Sequence, residues 1–237
     1  MNARPPLSVV MPAYNEEGAI EAATSEVREF VLDRIAGSEL VVVNDGSRDN
    51  TGPILDRICA NDPRIRVVHQ VNAGHGPALR AAIEAANGEL LLFLDSDRQI
   101  PLTEAEPLRA AIEKGNDAAF GVRIQREDPT FRLWLTKVIR GALPLMFGVR
   151  IQDANVPFKL IKRELWEAAR PLIPADTLAP SLFLAVFAAK RGFKIAYVPV
   201  SHRERQTGVV SIRRFKLIKF CARAFVQLLT FRGRLFR

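Results

Sequence analysis

Two cysteines in 237 residues, Cys59 and Cys221, lie far apart and show no metal-ligand spacing. That excludes a disulfide framework and a zinc knuckle, and points to a reducing compartment. Only three histidines are present, and none belongs to a His/Asp/Ser constellation for nucleophilic catalysis. Tryptophan and tyrosine number two each against 14 phenylalanines; the phenylalanines fall at core-like spacing, no nucleic-acid motif is present, and no nucleic acid is expected as partner. No apolar run approaches the roughly 20 residues that cross a bilayer. The opening MNARPPLSVVMP lacks the apolar core and small-residue cleavage site of a secretion signal, so a cytoplasmic protein is expected. Acid, finally, is missing from residues 212–237, which hold eight of the 34 Lys and Arg and none of the 26 Asp and Glu. The first 211 residues are therefore neutral, and the whole net charge of +8 sits in the tail.

With 48% hydrophobic and 25% charged residues, what remains is an ordinary globular composition. Short β-branched or leucine runs at Leu7–Met11, Leu40–Val43, Ile65–His69 and Leu90–Leu94 alternate with helical periodicity over Glu17–Ile35, Thr51–Ala60 and Gly76–Ala86. Thr51 and Pro53 give the second helix a capped start. The alternation predicts an α/β fold with a mostly parallel sheet flanked by helices. Further on, Asp117–Val122 and Lys194–Val200 read as strands, Thr130–Phe147 as a helix of mixed apolar and basic character, and Ile151–Trp166 as a short strand leading into a helix.

Open parallel sheets bind ligands at the carboxyl ends of their strands, and the polar punctuation falls there: PAYNEE (Pro12–Glu17), NDGSRDN (Asn44–Asn50), NAGHG (Asn72–Gly76) and DSDRQ (Asp95–Gln99). In the last, Asp95 and Asp97 flank Ser96 at the end of an apolar strand. Asp is a turn former in such places. A carboxylate pair at i and i+2, beside Asp45 and the acidic PAYNEE loop on the same rim, also suits a hard cation, since Mg²⁺ takes oxygen ligands and uses only one or two protein carboxylates.

The set VVMPAYNEE, VVVNDGSRDNT, NAGHGPALRAAI, LLFLDSDRQIP and FGVRIQR resembles the nucleotide-sugar domain of family-2 inverting glycosyltransferases of the GT-A fold. Asp95, Asp97, Gln99, Pro101, Gly121 and Arg123 bring it nearest to the dolichyl- or polyprenyl-phosphate mannose and glucose synthases. The resemblance covers about residues 7–211. It implies a Rossmann-like GT-A domain over 1–211 and a basic amphipathic tail over 212–237. It also implies that Pro12, Tyr14 and Glu16 line the nucleoside pocket, that Asp45 holds base or ribose, and that Ser96 contacts substrate. Asp95 would lie near sugar and metal, Asp97 and Gln99 would complete the Mg²⁺ or Mn²⁺ site, and Arg123 would reach phosphate or sugar. HRERQTG followed by Ser211 resembles the family's phosphate-contacting Arg-x-x-Gly-x-Ser, with Arg205 and Gly208 matching, an extra residue before Ser211 and Ile212 in place of lysine. His75 either touches a donor phosphate or caps the following helix, and His69 reads as structural.

Asp153 stands where hydroxyl-glycosylating relatives carry a general base and where the polyprenyl-phosphate synthases also carry aspartate, so its identity leaves the acceptor open. The tail favours a polyprenyl phosphate: Phe215, Ile218, Ala222, Phe225, Val226 and Leu229 follow helical spacing among Lys216, Lys219 and Arg223, as in helices that lie on anionic membrane surfaces. Phe131–Phe147 is a second such candidate. The expected protein is thus a metal-dependent hexosyltransferase using GDP-mannose or UDP-glucose, peripheral at the cytosolic face of a membrane, with a possible membrane-spanning partner subunit. The alternatives are transfer to a soluble hydroxyl acceptor and a non-catalytic nucleotide-sugar-binding subunit.

Overall fold

The computed structural model describes residues 4–124, 141–203 and 214–236, with side chains of the final helix described from Arg223 onward. Seven strands form one sheet: β1 (Leu7–Ala13), β2 (Glu39–Asn44), β3 (Ile65–His69), β4 (Leu90–Phe93), β5 (Ala118–Arg123), β6 (Lys159–Lys162) and β7 (Ile195–Val200). Their spatial order is β3-β2-β1-β4-β6-β5-β7. Parallel pairing joins β1 to β2 and β4, β2 to β3, and β5 to β7, while β6 runs antiparallel to both β4 and β5. Reversing that one strand has a functional consequence. The segment leading into β6 arrives on the rim where the other six strands end.

The strands are near-continuous apolar runs because both faces of the sheet are covered. Val10, Val41, Val43, Leu91 and Phe93 point into one core layer, and Val9, Met11, Leu40, Val42 and Leu92 into the other. The second layer is closed by α1 (Ile20–Val27), α2 (Thr51–Asn61) and α4 (Ala105–Glu113). The first is closed by α3 (His75–Ala85), α5 (141–147), α6 (Arg163–Ala169), α7 (Pro180–Lys190) and α8 (Arg214–Leu235). At the opposite rim, buried Glu39 accepts hydrogen bonds from Ser8 Oγ (2.7 Å), Asn87 N (2.6 Å) and Arg66 Nε (3.2 Å). Burial alone would raise its pKa, but these bonds and the Arg66 charge hold it below the ordinary carboxylate range.

Several elements depart from the sequence expectation for local reasons. The first helix is shorter than Glu17–Ile35 and continues through a π-type turn at Arg28–Leu32, because Glu17 is drawn into the neighbouring loop. The helix at Thr51 does begin there, yet Asp49 caps it: its Oδ1 accepts from Thr51 N (3.0 Å) and Thr51 Oγ1 (2.6 Å). Helix α7, PSLFLAVFAAK, is buried around most of its circumference, so it has no amphipathic stripe by which periodicity would reveal it. Of the helix expected over Thr130–Phe147, residues 141–147 are helical and 125–140 lie outside the described residues.

The tail helix presents two apolar faces. Leu228, Phe231 and Leu235 are buried in the first core layer, with the Phe231 ring 4.9 Å from Phe183 and 6.1 Å from Phe147 between centroids. Phe225, Val226 and Leu229, the face picked out by the sequence pattern, are exposed, as are Phe236 and, on α5, Leu145. Among the described residues no helix is long and apolar enough to cross a membrane. Emptying the space of a fully buried phenylalanine costs about 3–5 kcal/mol. Phe231→Ala is therefore expected to lower unfolding stability by that amount in urea titration, whereas Phe225→Ser should stay within about 0.5 kcal/mol; equal effects would contradict the two-face assignment.

Candidate active site

The rim at the strand ends is assembled in pairs of loops. The segment after β1 is laced to the segment after β2: Asn15 N donates to Ser47 Oγ (3.0 Å), Glu16 N to Thr51 Oγ1 (2.8 Å), and Arg48 N to Asn15 Oδ1 (2.9 Å). Glu17 Oε2 in turn accepts from Asn50 N and Nδ2, each at 3.0 Å. Asn15 has φ 54°, a left-handed conformation that Asn tolerates. Pro12 and Glu16 are buried and Tyr14 is exposed, so this expected nucleoside-pocket segment presents a tyrosine ring to solvent on a pinned backbone.

Asp45 is almost fully buried. Its Oδ1 accepts from Gln70 Nε2 (2.6 Å) and Ala73 N (2.8 Å), its Oδ2 from Gly74 N (2.8 Å), and its carbonyl from Asn72 Nδ2 (2.9 Å). The carboxylate that sequence placed against base or ribose thus shapes the NAGHG loop. Gly46 follows at φ 67°, where a Cβ would lie 2.7 Å from Asn72 N; only glycine fits that approach.

Next along the rim, Asp97 Oδ1 accepts from Gln99 N (3.1 Å), closing an Asx-type turn. Arg98 inside it stands at φ 57°, its Nε held by Glu26 Oε2 at 3.1 Å. Ser96 is buried. Gln99 exchanges two bonds with the segment after β7: Arg203 N donates to Gln99 O (2.8 Å), and Gln99 Nε2 to Arg203 O (3.2 Å). That contact brings the start of HRERQTG beside the aspartate turn. Arg205 itself lies outside the described residues.

Asp95 meets His75, whose Nε2 lies 3.0 Å from Asp95 Oδ1. The surrounding protein disfavours charge on the imidazole, but the Asp95 charge and hydrogen bond, with Asp97 and Asp45 farther off, outweigh this and raise its pKa. His75 is the first residue of α3, and no side chain caps that helix. Its expected capping role is replaced by a direct bridge to the DSD turn. The bridge rests on Gly76, where a Cβ would fall 2.0 Å from Thr177 O. His69 is structural as expected, set between Asn44 Nδ2 (3.0 Å) and Asp56 Oδ1 (2.9 Å).

Arg123, at the end of β5, and Asp153, in the segment before β6, form a two-pronged ion pair: Nε–Oδ2 2.8 Å and Nη2–Oδ1 2.9 Å. Their side chains are only 10% and 7% exposed. Two residues singled out separately thus meet in one unit. A third component went unnoticed in sequence: Lys159, at the first position of β6 and fully buried. The available signal was a lysine inside the apolar run NVPFKLI.

Asp95, Asp97 and Gln99 offer hard oxygen atoms on one turn, the donor chemistry that Mg²⁺ or Mn²⁺ takes. No cluster of three or more His, Cys, Asp or Glu that would hold a metal by protein ligands alone occurs among the described residues. The donor set fits an ion that draws its remaining ligands from water and substrate.

Comparison with known proteins points to one family. Residues 8–170 match the family described as glycosyl transferase family 2. The chain is 34% identical over 203 residues to glycosyltransferase AglD of Haloferax volcanii, covering 82% of this chain and 32% of that protein. It is 29% identical over 211 residues to undecaprenyl-phosphate 4-deoxy-4-formamido-L-arabinose transferase of Pseudomonas fluorescens, covering 85% and 58%. The chain thus spans about a third to three-fifths of the length of these curated relatives. Glucosyl-3-phosphoglycerate synthase from Mycobacterium tuberculosis in complex with UDP superposes with a TM-score of 0.73 at 24% identity, over 98% of this chain and 81% of that one. The same enzyme with Mn²⁺, UDP-glucose and phosphoglyceric acid gives 0.73 at 23%, over 98% and 80%. These likenesses establish the GT-A fold.

Proposed function

The chain belongs to glycosyl transferase family 2, and on that premise we propose that it moves a hexosyl group, with inversion, from a GDP-mannose- or UDP-glucose-type donor to a polyprenyl phosphate. The observation that carries the choice of acceptor is the Arg123–Asp153 pair. A hydroxyl acceptor needs a general base with an oxygen in reach of its proton, and the Asp153 side chain is only 7% exposed, with each oxygen already accepting a bond from the Arg123 guanidinium. A phosphate acceptor is already an anion near neutral pH, so the site need only position it and offset its charge. The name of the Pseudomonas relative, an undecaprenyl-phosphate sugar transferase, supports the same choice.

In this reading Pro12, Tyr14 and Glu16 line the nucleoside pocket. Asp45 acts by fixing the 70–74 loop over base and ribose, and Ser96 lies under the sugar. Asp95, Asp97 and the side-chain oxygen of Gln99 would hold Mg²⁺ or Mn²⁺, which when bound offsets charge on the departing nucleoside diphosphate. His75, hydrogen-bonded to Asp95 Oδ1, orients that carboxylate. Arg123 faces the sugar or phosphate, and Arg205 is assigned to acceptor phosphate. A positive lining where negative charge accumulates is the electrostatic contribution that matters most in such displacements.

The tail carries the second part of the proposal. The exposed Phe225, Val226, Leu229 and Phe236 lie on a helix that also bears Arg223, Arg232 and Arg234, and this apolar-plus-cationic surface suits an anionic lipid interface. The tail would thereby hold residues 1–211 as a peripheral domain at the cytosolic face, beside a membrane-spanning partner subunit.

Two outcomes are expected. With Mn²⁺, undecaprenyl phosphate and a panel of GDP- and UDP-sugars, one donor should release nucleoside diphosphate with formation of a lipid-linked sugar, and Asp97→Ala should cut the rate at least about 100-fold; unchanged turnover in that variant would sink the assignment. Combined Phe225→Ser, Val226→Ser and Leu229→Ser should weaken sedimentation with phosphatidylglycerol vesicles at least about 10-fold and leave thermal stability unaltered. Undiminished vesicle binding would remove the lipid-facing role.

A further inference from the structure

Lys159 is the first residue of β6 and has no solvent exposure. Burying a lysine is costly unless its donors are used, and all three are. Nζ donates to Ala154 O (3.1 Å), Val156 O (2.5 Å) and Ser181 Oγ (2.6 Å), with the Phe120 ring 5.1 Å away. Ser181 Oγ spends its own proton on Val156 O at 3.1 Å. Three oxygen acceptors converge on one nitrogen, and the Ser181 hydroxyl hydrogen is directed at Val156 O. An ammonium satisfies that arrangement; a neutral amine, with two N–H groups, leaves one acceptor without a donor.

The two carbonyls belong to the segment that carries Asp153, directly before them in the chain. That segment reaches the rim only because β6 is antiparallel, and Lys159 ties it from below to the first turn of α7. Asp153 in turn grips Arg123 from β5. We propose that Lys159 is a positioning residue for the transfer reaction: its ammonium pins the 154–156 backbone to α7 and so fixes where the Asp153–Arg123 pair stands over the substrate. This proposal rests on the transferase reading above and adds to it a residue that touches no substrate.

Burial is the largest influence on Lys159 and lowers its pKa; Asp153 and Asp95 oppose this and Arg123 assists it, leaving a value of about 7. Those are the charged groups among the described residues that face it from the 151–158 segment, from the end of β4 and from β5; α7 contributes the neutral Ser181. The sign follows directly. As pH rises through that value a proton leaves, one of the three bonds is lost, and the segment loosens, so the positioning weakens on the alkaline side.

Hydrogen–deuterium exchange provides a readout that needs no substrate. In wild type, protection factors of amides in residues 153–158, corrected for intrinsic exchange, should fall between pH 6 and 9. Lys159→Arg, whose charge persists across that range, should hold them constant, and Lys159→Met should keep them low throughout. In the transfer assay, Lys159→Met should lower kcat/KM by about 10- to 100-fold, keep the Kd for nucleoside diphosphate within about threefold, and lose the alkaline limb of the kcat/KM profile. Wild-type protection that is flat with pH, or a Lys159→Met enzyme that retains the wild-type alkaline limb, would overturn the proposal. If the exchange pattern appears while no donor–acceptor pair gives turnover, the positioning role stands and the transferase reading is what fails.

Discussion

The site depends on one ion pair held out of water. Arg123 and Asp153 belong to chain segments that come together only in the folded sheet, one from the end of β5 and the other from the approach to antiparallel β6. Their two-point contact locks both into a single ion-paired unit at the rim. Removing one partner of such a buried pair leaves an uncompensated charge and costs about 3–5 kcal/mol. The pair is therefore both a structural clamp between the ends of neighbouring strands β5 and β6 and a chemical restriction, because a buried carboxylate engaged by a guanidinium at both oxygens offers an incoming hydroxyl little access. The proposed transfer to an acceptor that is already an anion follows from that restriction, since it requires no free base.

The rest of the rim repeats the same device with other partners. Asp45 spends its carboxylate on the 70–74 loop, and the loop after β1 is laced to the loop after β2. Gln99 clasps Arg203, and His75 leans on Asp95 from a helix start that requires glycine at position 76. Asp45, Asn15, Glu17 and Gln99 at the strand ends each hold another loop in place. The outcome is a rim whose loops hold one another in place, the kind of preorganisation that electrostatic catalysis favours. The tail is built into the same body, since Phe231 lies in the core while Phe225 and Leu229 face outward, and so it cannot be trimmed away without opening the protein.

Much of this was legible in the sequence because the signals were local. The apolar runs ending in polar clusters gave the strands and the rim, and the Asp95–Asp97 spacing gave the turn. What escaped was set by tertiary context. Helix α7 carries no amphipathic stripe, so periodicity is silent on it. The pairing of Arg123 with Asp153 depends on the direction of β6, which no property of KLIK encodes. Lys159 looked like any lysine near a strand, since burial of a charged residue is decided by neighbours far away in the chain. The tail pattern includes the exposed Phe225, Val226 and Leu229, while the side chains of Phe215, Ile218 and Ala222 lie outside the described residues; the docked face, Leu228, Phe231 and Leu235, runs beside it and satisfies helical spacing equally.

The central claim is that the acceptor arrives already ionised, since Asp153 is committed to Arg123. It is tested most directly by offering the protein, with its donor and Mn²⁺, two acceptors that differ only at the terminus, a polyprenyl phosphate and the corresponding polyprenol, and measuring glycosyl product by mass spectrometry. The account predicts product from the phosphate alone. Product from the alcohol at a comparable rate, abolished by Asp153→Asn, would contradict it.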